Sequence, residues 1–135
     1  MKTIQLIYAS RPLGFDELTL LGILHSARTN NVRDDVTGAL ICRHDLYLQL
    51  LEGPPEAVTA VFERIQRDER HIEVVKLIEA ETDARLFPEW AMRHDPARSW
   101  MWTTAEVSNG AVAQASADEI RAIFARLVHE PPAVA

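Results

Sequence analysis

Two spacings of apolar residues organise the chain. Ile4-Gln5-Leu6-Ile7-Tyr8-Ala9 reads as a strand, broken by the turn-forming run Ser10-Arg11-Pro12-Leu13-Gly14. The period then becomes helical. Asp16 can cap a first turn, and Leu20, Ile23, Leu24, Ala27 and Asn31 share one face, so an apolar stripe ends on an amide. Val36 to Cys42 and Tyr47 to Glu52 are two further strand signals, joined by Arg43-His44-Asp45-Leu46 in the manner of a hairpin. Gly53-Pro54-Pro55 stops the second of these. Val58, Val61, Phe62 and Ile65 then repeat at i, i+3, i+4 and i+7 and predict a second helix. Ile72 to Ile78 and Leu86 to Arg93 supply two more strands, the last placed at an edge because Pro88 cannot donate to a ladder.

The resulting order, βαββαββ, predicts an α+β, ferredoxin-like fold with two helices on one face of a five-stranded mixed sheet. In that fold the first and third strands are central neighbours. The chain changes character near residue 95, so residues 1–94 are expected to form the domain and 95–135 a C-terminal helical extension. Trp100, Met101 and Trp102 stand in a row, and Ser108-Asn109-Gly110 signals a turn. Ser116-Ala117-Asp118-Glu119 has the form of a capping box ahead of Ile120, Ile123, Phe124, Leu127 and Val128, and Pro131-Pro132 would end that helix. These apolar residues predict burial, on the sheet's open face or against a second copy in a homodimer.

Composition narrows the function classes. A net charge of −6 argues against a nucleic-acid surface, which needs clustered Lys and Arg. The apolar runs fall short of the roughly 18–20 residues of a membrane span, and Met1-Lys2-Thr3 leads into a strand with no cleavage pattern, so a cytoplasmic protein is expected. Cys42 is the single cysteine and reads as a small core residue, leaving no disulfide and no recognisable metal spacing.

The polar residues set into apolar segments carry the chemistry. Gln49 lies in Leu46-Tyr47-Leu48-Gln49-Leu50-Leu51, where an unsatisfied amide would cost about 1–3 kcal/mol. A backbone carbonyl or ordered water is its ordinary partner. Tyr8 needs a partner for its hydroxyl if buried. Asn31, or Asn30 beside it, would ordinarily cap the first helix. Asp68-Glu69-Arg70-His71 reads as a solvated turn, and Trp90 and Met92 as core residues of equal strand parity. Taken together in the inferred fold, Tyr8 and Gln49 meet beneath the helices with Asn31 above. An apolar slot bearing two amides and a phenol suits a flat heteroaromatic ligand, a purine, pterin or flavin.

From Lys2 to Arg93 the chain closely resembles the BLUF family of flavin-binding blue-light sensors. The resemblance rests on Leu6-Ile7-Tyr8-Ala9-Ser10, Ala27-Arg28-Thr29-Asn30-Asn31, Val36-Thr37-Gly38-Ala39-Leu40, Leu48-Gln49-Leu50-Leu51-Glu52-Gly53, Asp68-Glu69-Arg70-His71 and Phe87-Pro88-Glu89-Trp90-Ala91-Met92, in register and in family order. It implies bound FAD, with FMN or riboflavin as alternatives, its ring between the two helices. Tyr8 and Gln49 would bond each other, with Gln49 also at the flavin N5/O4 edge, and Asn31 would bind the O4/N3 edge with support from Asn30. Ile23 and Ala27 would pack along the ring, and Asp68, Arg70 and His71 would lie near its pyrimidine edge and ribityl chain. Ala27 stands where many members have serine, and Glu69 where proline is common. The implied function is photoreception without catalytic turnover: Tyr8 supplies an electron and a proton, the Gln49 amide rotates or tautomerises, and Trp90 and Met92 on the last strand pass the change to a separate protein partner. Two other readings remain beside it, an acylphosphatase-type hydrolase using Arg11 and Asn31, and a flavin-free interaction module.

Overall fold

The computed structural model describes residues 2–14 and 16–131. Ten elements follow in order: β1 (Thr3–Pro12), α1 (Glu17–Asp34), β2 (Thr37–Arg43), β3 (Leu46–Gly53), α2 (Pro55–Gln66), β4 (His71–Thr82), β5 (Arg93–Pro96), α3 (Thr104–Ser108), α4 (Ala111–Gln114) and α5 (Ala117–Leu127). The sheet order is β4-β1-β3-β2-β5, antiparallel except where β5 runs parallel to β2. This is the expected mixed sheet, with β1 and β3 side by side. Tyr8 and Gln49 are direct cross-strand partners.

Local signals account for most boundaries. Asp16 accepts a hydrogen bond from the Thr19 amide at 2.7 Å and starts α1. Pro55 takes the first helical position of α2, where a missing N–H costs nothing. Ser116 caps α5, although Glu119 meets the Ser116 hydroxyl, not its backbone N–H. The full capping box belongs instead to Thr103 and Glu106 at α3. Pro131 lies beyond the end of α5, and Pro132 falls outside the described residues.

Three expectations need correction. Ser10-Arg11-Pro12 does not break the first strand, because Arg11 and Pro12 pair with Ile72 and His71 of a β4 that begins one residue early and runs on to Thr82. Asn31 is not a cap; α1 continues to Asp34 and ends on Asp35 in the left-handed conformation, φ 59°. The strand expected over Leu86 to Arg93 does not form, so Trp90 and Met92 share no strand parity. Other groups take that segment's backbone hydrogen bonds: Glu52 accepts from the Leu86 and Phe87 amides at 2.7 and 2.8 Å, and the Trp90 carbonyl accepts from Gly38 at 3.0 Å. The fifth strand starts only at Arg93. It is nonetheless the sheet edge, as Pro88 had suggested for its neighbourhood.

Two cores lie on opposite faces. On one, α1 and α2 pack Leu20, Ile23, Leu24, Val58, Val61 and Phe62 against Leu6, Tyr8, Leu40 and Leu51. On the other, Ile120, Ile123, Phe124 and Leu127 of α5 pack on Ile7, Ala39, Ile41, Leu48 and Leu50. Each such side chain contributes about 1.5–3 kcal/mol on burial. The tail thus covers the sheet's open face, one of the two placements its apolar residues allowed. Phe87 sits in the second core and Met92 in the first, so residues 87–92 form a strap over the sheet edge.

Candidate functional site

The slot between α1 and α2 has a volume of about 250 Å³, just below the roughly 300–1,000 Å³ of most ligand sites. Helical periodicity brings Ile23, Ala27, Asn30 and Asn31 to its α1 wall, and the sheet contributes Gln49 below. Asp68, Arg70 and His71, from the connection after α2 and the start of β4, close one end. All of these were expected site residues. Ser26, Val61, Arg64 and Ile65 also border the slot and were not anticipated in that role. Val61 and Ile65 carried a signal, since their helical stripe was read as core and a slot between two helices is lined by that same stripe.

Tyr8 is fully buried and donates its hydroxyl hydrogen to Gln49 Oε1. The other end of the Gln49 amide, Nε2, donates to Met92 Sδ at 3.1 Å. Both ends of the amide are therefore used, the second on a weak acceptor. Burial, with the nearby Asp68 charge and Tyr47 adding to it, pushes the Tyr8 phenol well above its usual range and keeps it protonated. Phe62 and His71 pack their rings on Tyr8 with centroids 5.7 and 6.0 Å away.

Asn31 is buried inside α1, and its Nδ2 donates to the Ala91 carbonyl at 2.8 Å. Its Oδ1 is buried with no hydrogen-bond partner. An orphaned buried acceptor beside a slot is what a ligand N–H would satisfy, and leaving it bare costs about 1–3 kcal/mol. The ring-imide edge of a flavin offers such a donor, so the residues present fit that group.

His71 shares a 2.8 Å hydrogen bond between its Nδ1 and Ser10 Oγ. Burial lowers its pKa to about 4, so the ring is neutral near pH 7. Arg70 grips Asp68 through two nitrogens, and that hydrogen bonding holds the Asp68 carboxyl below the usual carboxylate range. Of the two output candidates, Met92 is buried against Gln49, while Trp90 is 38% exposed. Arg28, not singled out from sequence as a contact, donates its Nε to the Met92 carbonyl at 3.2 Å. Glu52 was equally overlooked, although a carboxylate in an apolar strand was as strong a signal as Gln49.

The hydrolase arrangement is not assembled. Arg11 pairs with Glu73 and borders a separate cavity of about 580 Å³ towards the C-terminal helices, whereas Asn31 faces the slot. Cys42 is buried, meets His94 Nε2 at 3.0 Å, and has its thiol pushed up to about 12 by burial, consistent with an inert core position. Among the described residues no cluster could hold a metal ion, and no helix is long and apolar enough to cross a membrane.

Comparison with known proteins gives a consistent picture. A family model described as sensors of blue light using FAD, BLUF, matches residues 3–93. Photoactivated adenylate cyclase subunit beta of Euglena gracilis is 35% identical over 85 residues, covering 62% of this chain and 10% of that protein. The blue light- and temperature-regulated antirepressor BluF of Escherichia coli is 38% identical over 66 residues, covering 49% of this chain and 16% of that protein. The chain thus spans about a tenth of the cyclase subunit's length. Among solved structures, BlrB, a BLUF protein in its dark state, superposes with a TM-score of 0.78 at 26% identity, covering 94% of this chain and 96% of its own. The photo-activated state of BlsA shares the fold throughout, with a TM-score of 0.84 at 24% identity and coverage of 98% and 99%.

Proposed function

Given that the chain belongs to the BLUF family, the sensors of blue light using FAD, we propose that Tyr8, Gln49 and Met92 form its photochemical relay and that Asn31 orients the flavin. Bound FAD supplies light absorption and, once excited, oxidising power. The remaining chemistry falls to side chains. The observation that carries this reading is the single buried line from phenol to amide to thioether, Tyr8 to Gln49 to Met92, beside a slot with an orphaned acceptor.

At rest the Tyr8 proton lies on the hydrogen bond to Gln49 Oε1, so loss of an electron from the phenol leaves that proton free to move to Gln49. Rotation of the amide would exchange its donor and acceptor ends without changing its shape. The Nε2–H facing Met92 Sδ would be replaced by an oxygen, and sulfur has no proton to give it. Tautomerisation would instead remove one of the two Nε2 protons. Either change alters the bond that holds Met92. Asn31 and Arg28 then matter as restraints, because α1 grips the Ala91 and Met92 carbonyls through them.

Rearranging one hydrogen bond is worth about 1–2 kcal/mol, which shifts a two-state equilibrium by roughly tenfold. The output is graded and passes to a separate protein partner by way of the strap and the tail. The FAD-loaded chain should show a small, reversible red shift of its flavin band under blue light. Tyr8→Phe and Gln49→Leu should keep FAD and lose the shift. A full shift in either variant would refute the relay.

A further inference from the structure

We propose that the buried Arg93–Asp95 pair is a latch that ties the placement of Met92 to the end of the C-terminal helix, so that illumination loosens residues 117–131 through it. This rests on the photosensory reading above.

Arg93 follows Met92 directly and is the first residue of β5. Met92 lies against Gln49 in the helix-side core, while the Arg93 side chain reaches Phe87 and Glu130 on the α5 side. There it is almost completely buried. Its Nε and Nη2 bond the Asp95 carboxylate at 2.8 and 3.3 Å, Nη2 also donates to the Glu130 carbonyl at 2.8 Å, and the guanidinium lies 5.9 Å from the Phe87 ring centroid.

Asp95, wholly buried, takes a second cation from Arg98 at 2.7 Å. Arg98 in turn donates to the Pro131 carbonyl at 3.0 Å. Two arginines anchored on one carboxylate therefore hold the consecutive carbonyls of Glu130 and Pro131, just past the end of α5. Trp100 adds a bond to the Glu130 carboxylate at 2.9 Å.

The geometry of a planar, two-point guanidinium–carboxylate pair is exacting, and breaking such a pair in a buried site is strongly unfavourable. A displacement of the Met92 backbone is consequently passed on as a shift of Arg93 and of the carbonyls it holds. Absorbing it locally would require the pair to separate. Arg93 and Asp95 are positioning residues here: they touch neither the slot nor the amide.

Hydrogen exchange of the FAD-loaded full chain, in darkness and under continuous blue light, tests the latch. In the unsubstituted chain, exchange over residues 117–131 should rise several-fold on illumination. Asp95→Asn should leave the flavin red shift intact, raise dark exchange of that segment towards the lit level, and abolish the light–dark difference. Arg98→Gln, at the less buried side of the network, should reduce the difference while sparing the fold. A role limited to stability would raise exchange equally in both states. The latch is overturned if residues 117–131 exchange alike in light and dark while the red shift forms, or if both variants retain the full light–dark difference. Absence of a red shift in the unsubstituted chain would instead overturn the photosensory reading and the latch with it.

Discussion

Asn31 and Glu52 both bury oxygen atoms, yet their surroundings differ completely. The Glu52 carboxylate accepts four hydrogen bonds, from Gln5, Thr37 and the Leu86 and Phe87 amides. Asn31 Oδ1 accepts none. Glu52 fixes the start of the strap; Asn31 grips its far end with one atom and leaves the other without a partner. The contrast extends to the two sheet faces. On the side covered by α5 aliphatic and aromatic residues surround charges that pair with each other, Asp95 with Arg93 and Arg98, while the side beneath α1 and α2 carries Tyr8, Ser10, Asn31, Gln49 and His71. Glu52 spends its acceptor capacity within the fold, and Asn31 leaves one oxygen unspent.

If the faces divide labour in this way, damage to each should show in different measurements. Phe124→Ala, which empties a fully buried ring site in the α5 core, should cost about 3–5 kcal/mol in denaturant unfolding while the red shift per bound FAD stays unchanged. A loss of photochemistry in the folded variant would mean that the faces are not separable.

Acid should act first on the polar face. His71 has a folded pKa of about 4 against about 6.5 when unfolded, so between those values the unfolded chain binds the extra proton. Its contribution is fully present above about pH 6.5 and is lost as pH falls towards 4, by roughly 2–4 kcal/mol. Urea midpoints across this window should fall with pH, and should flatten in His71→Gln. Asn31→Ala removes the free acceptor and should weaken FAD binding by about 5–30-fold, a change of roughly 1–2 kcal/mol readable by flavin fluorescence titration. Thr103→Ala, which removes the α3 cap on the exposed tail, should lower stability by about 1 kcal/mol with no effect on flavin affinity.

Much of the candidate site is legible in the sequence because its key polar residues interrupt otherwise apolar periodic segments. Gln49 in β3 and Asn31 on the buried stripe of α1 announce themselves by costing energy where they stand. Once β1 and β3 are neighbours, Tyr8 must fall near Gln49. Arg28 gave no such signal, since it is an exposed helical arginine whose importance lies in a carbonyl 64 residues away.

Local spacing by itself determined the element order from β1 to β4, the buried faces of α1, α2 and α5 and the pairing of the central strands, because periods of 3.6 and 2 report which side of an element avoids water. It could not determine what happens at residues 86–92, nor which surface the tail would cover. Those outcomes were decided only in the folded chain. There Glu52, Gly38, Asn31 and Arg28 compete with the ladder for the strap's backbone groups, and α5 finds the one apolar sheet face that α1 and α2 leave uncovered. Hydrogen bonds between residues distant in sequence leave no periodic trace, so only their meeting in space reveals them.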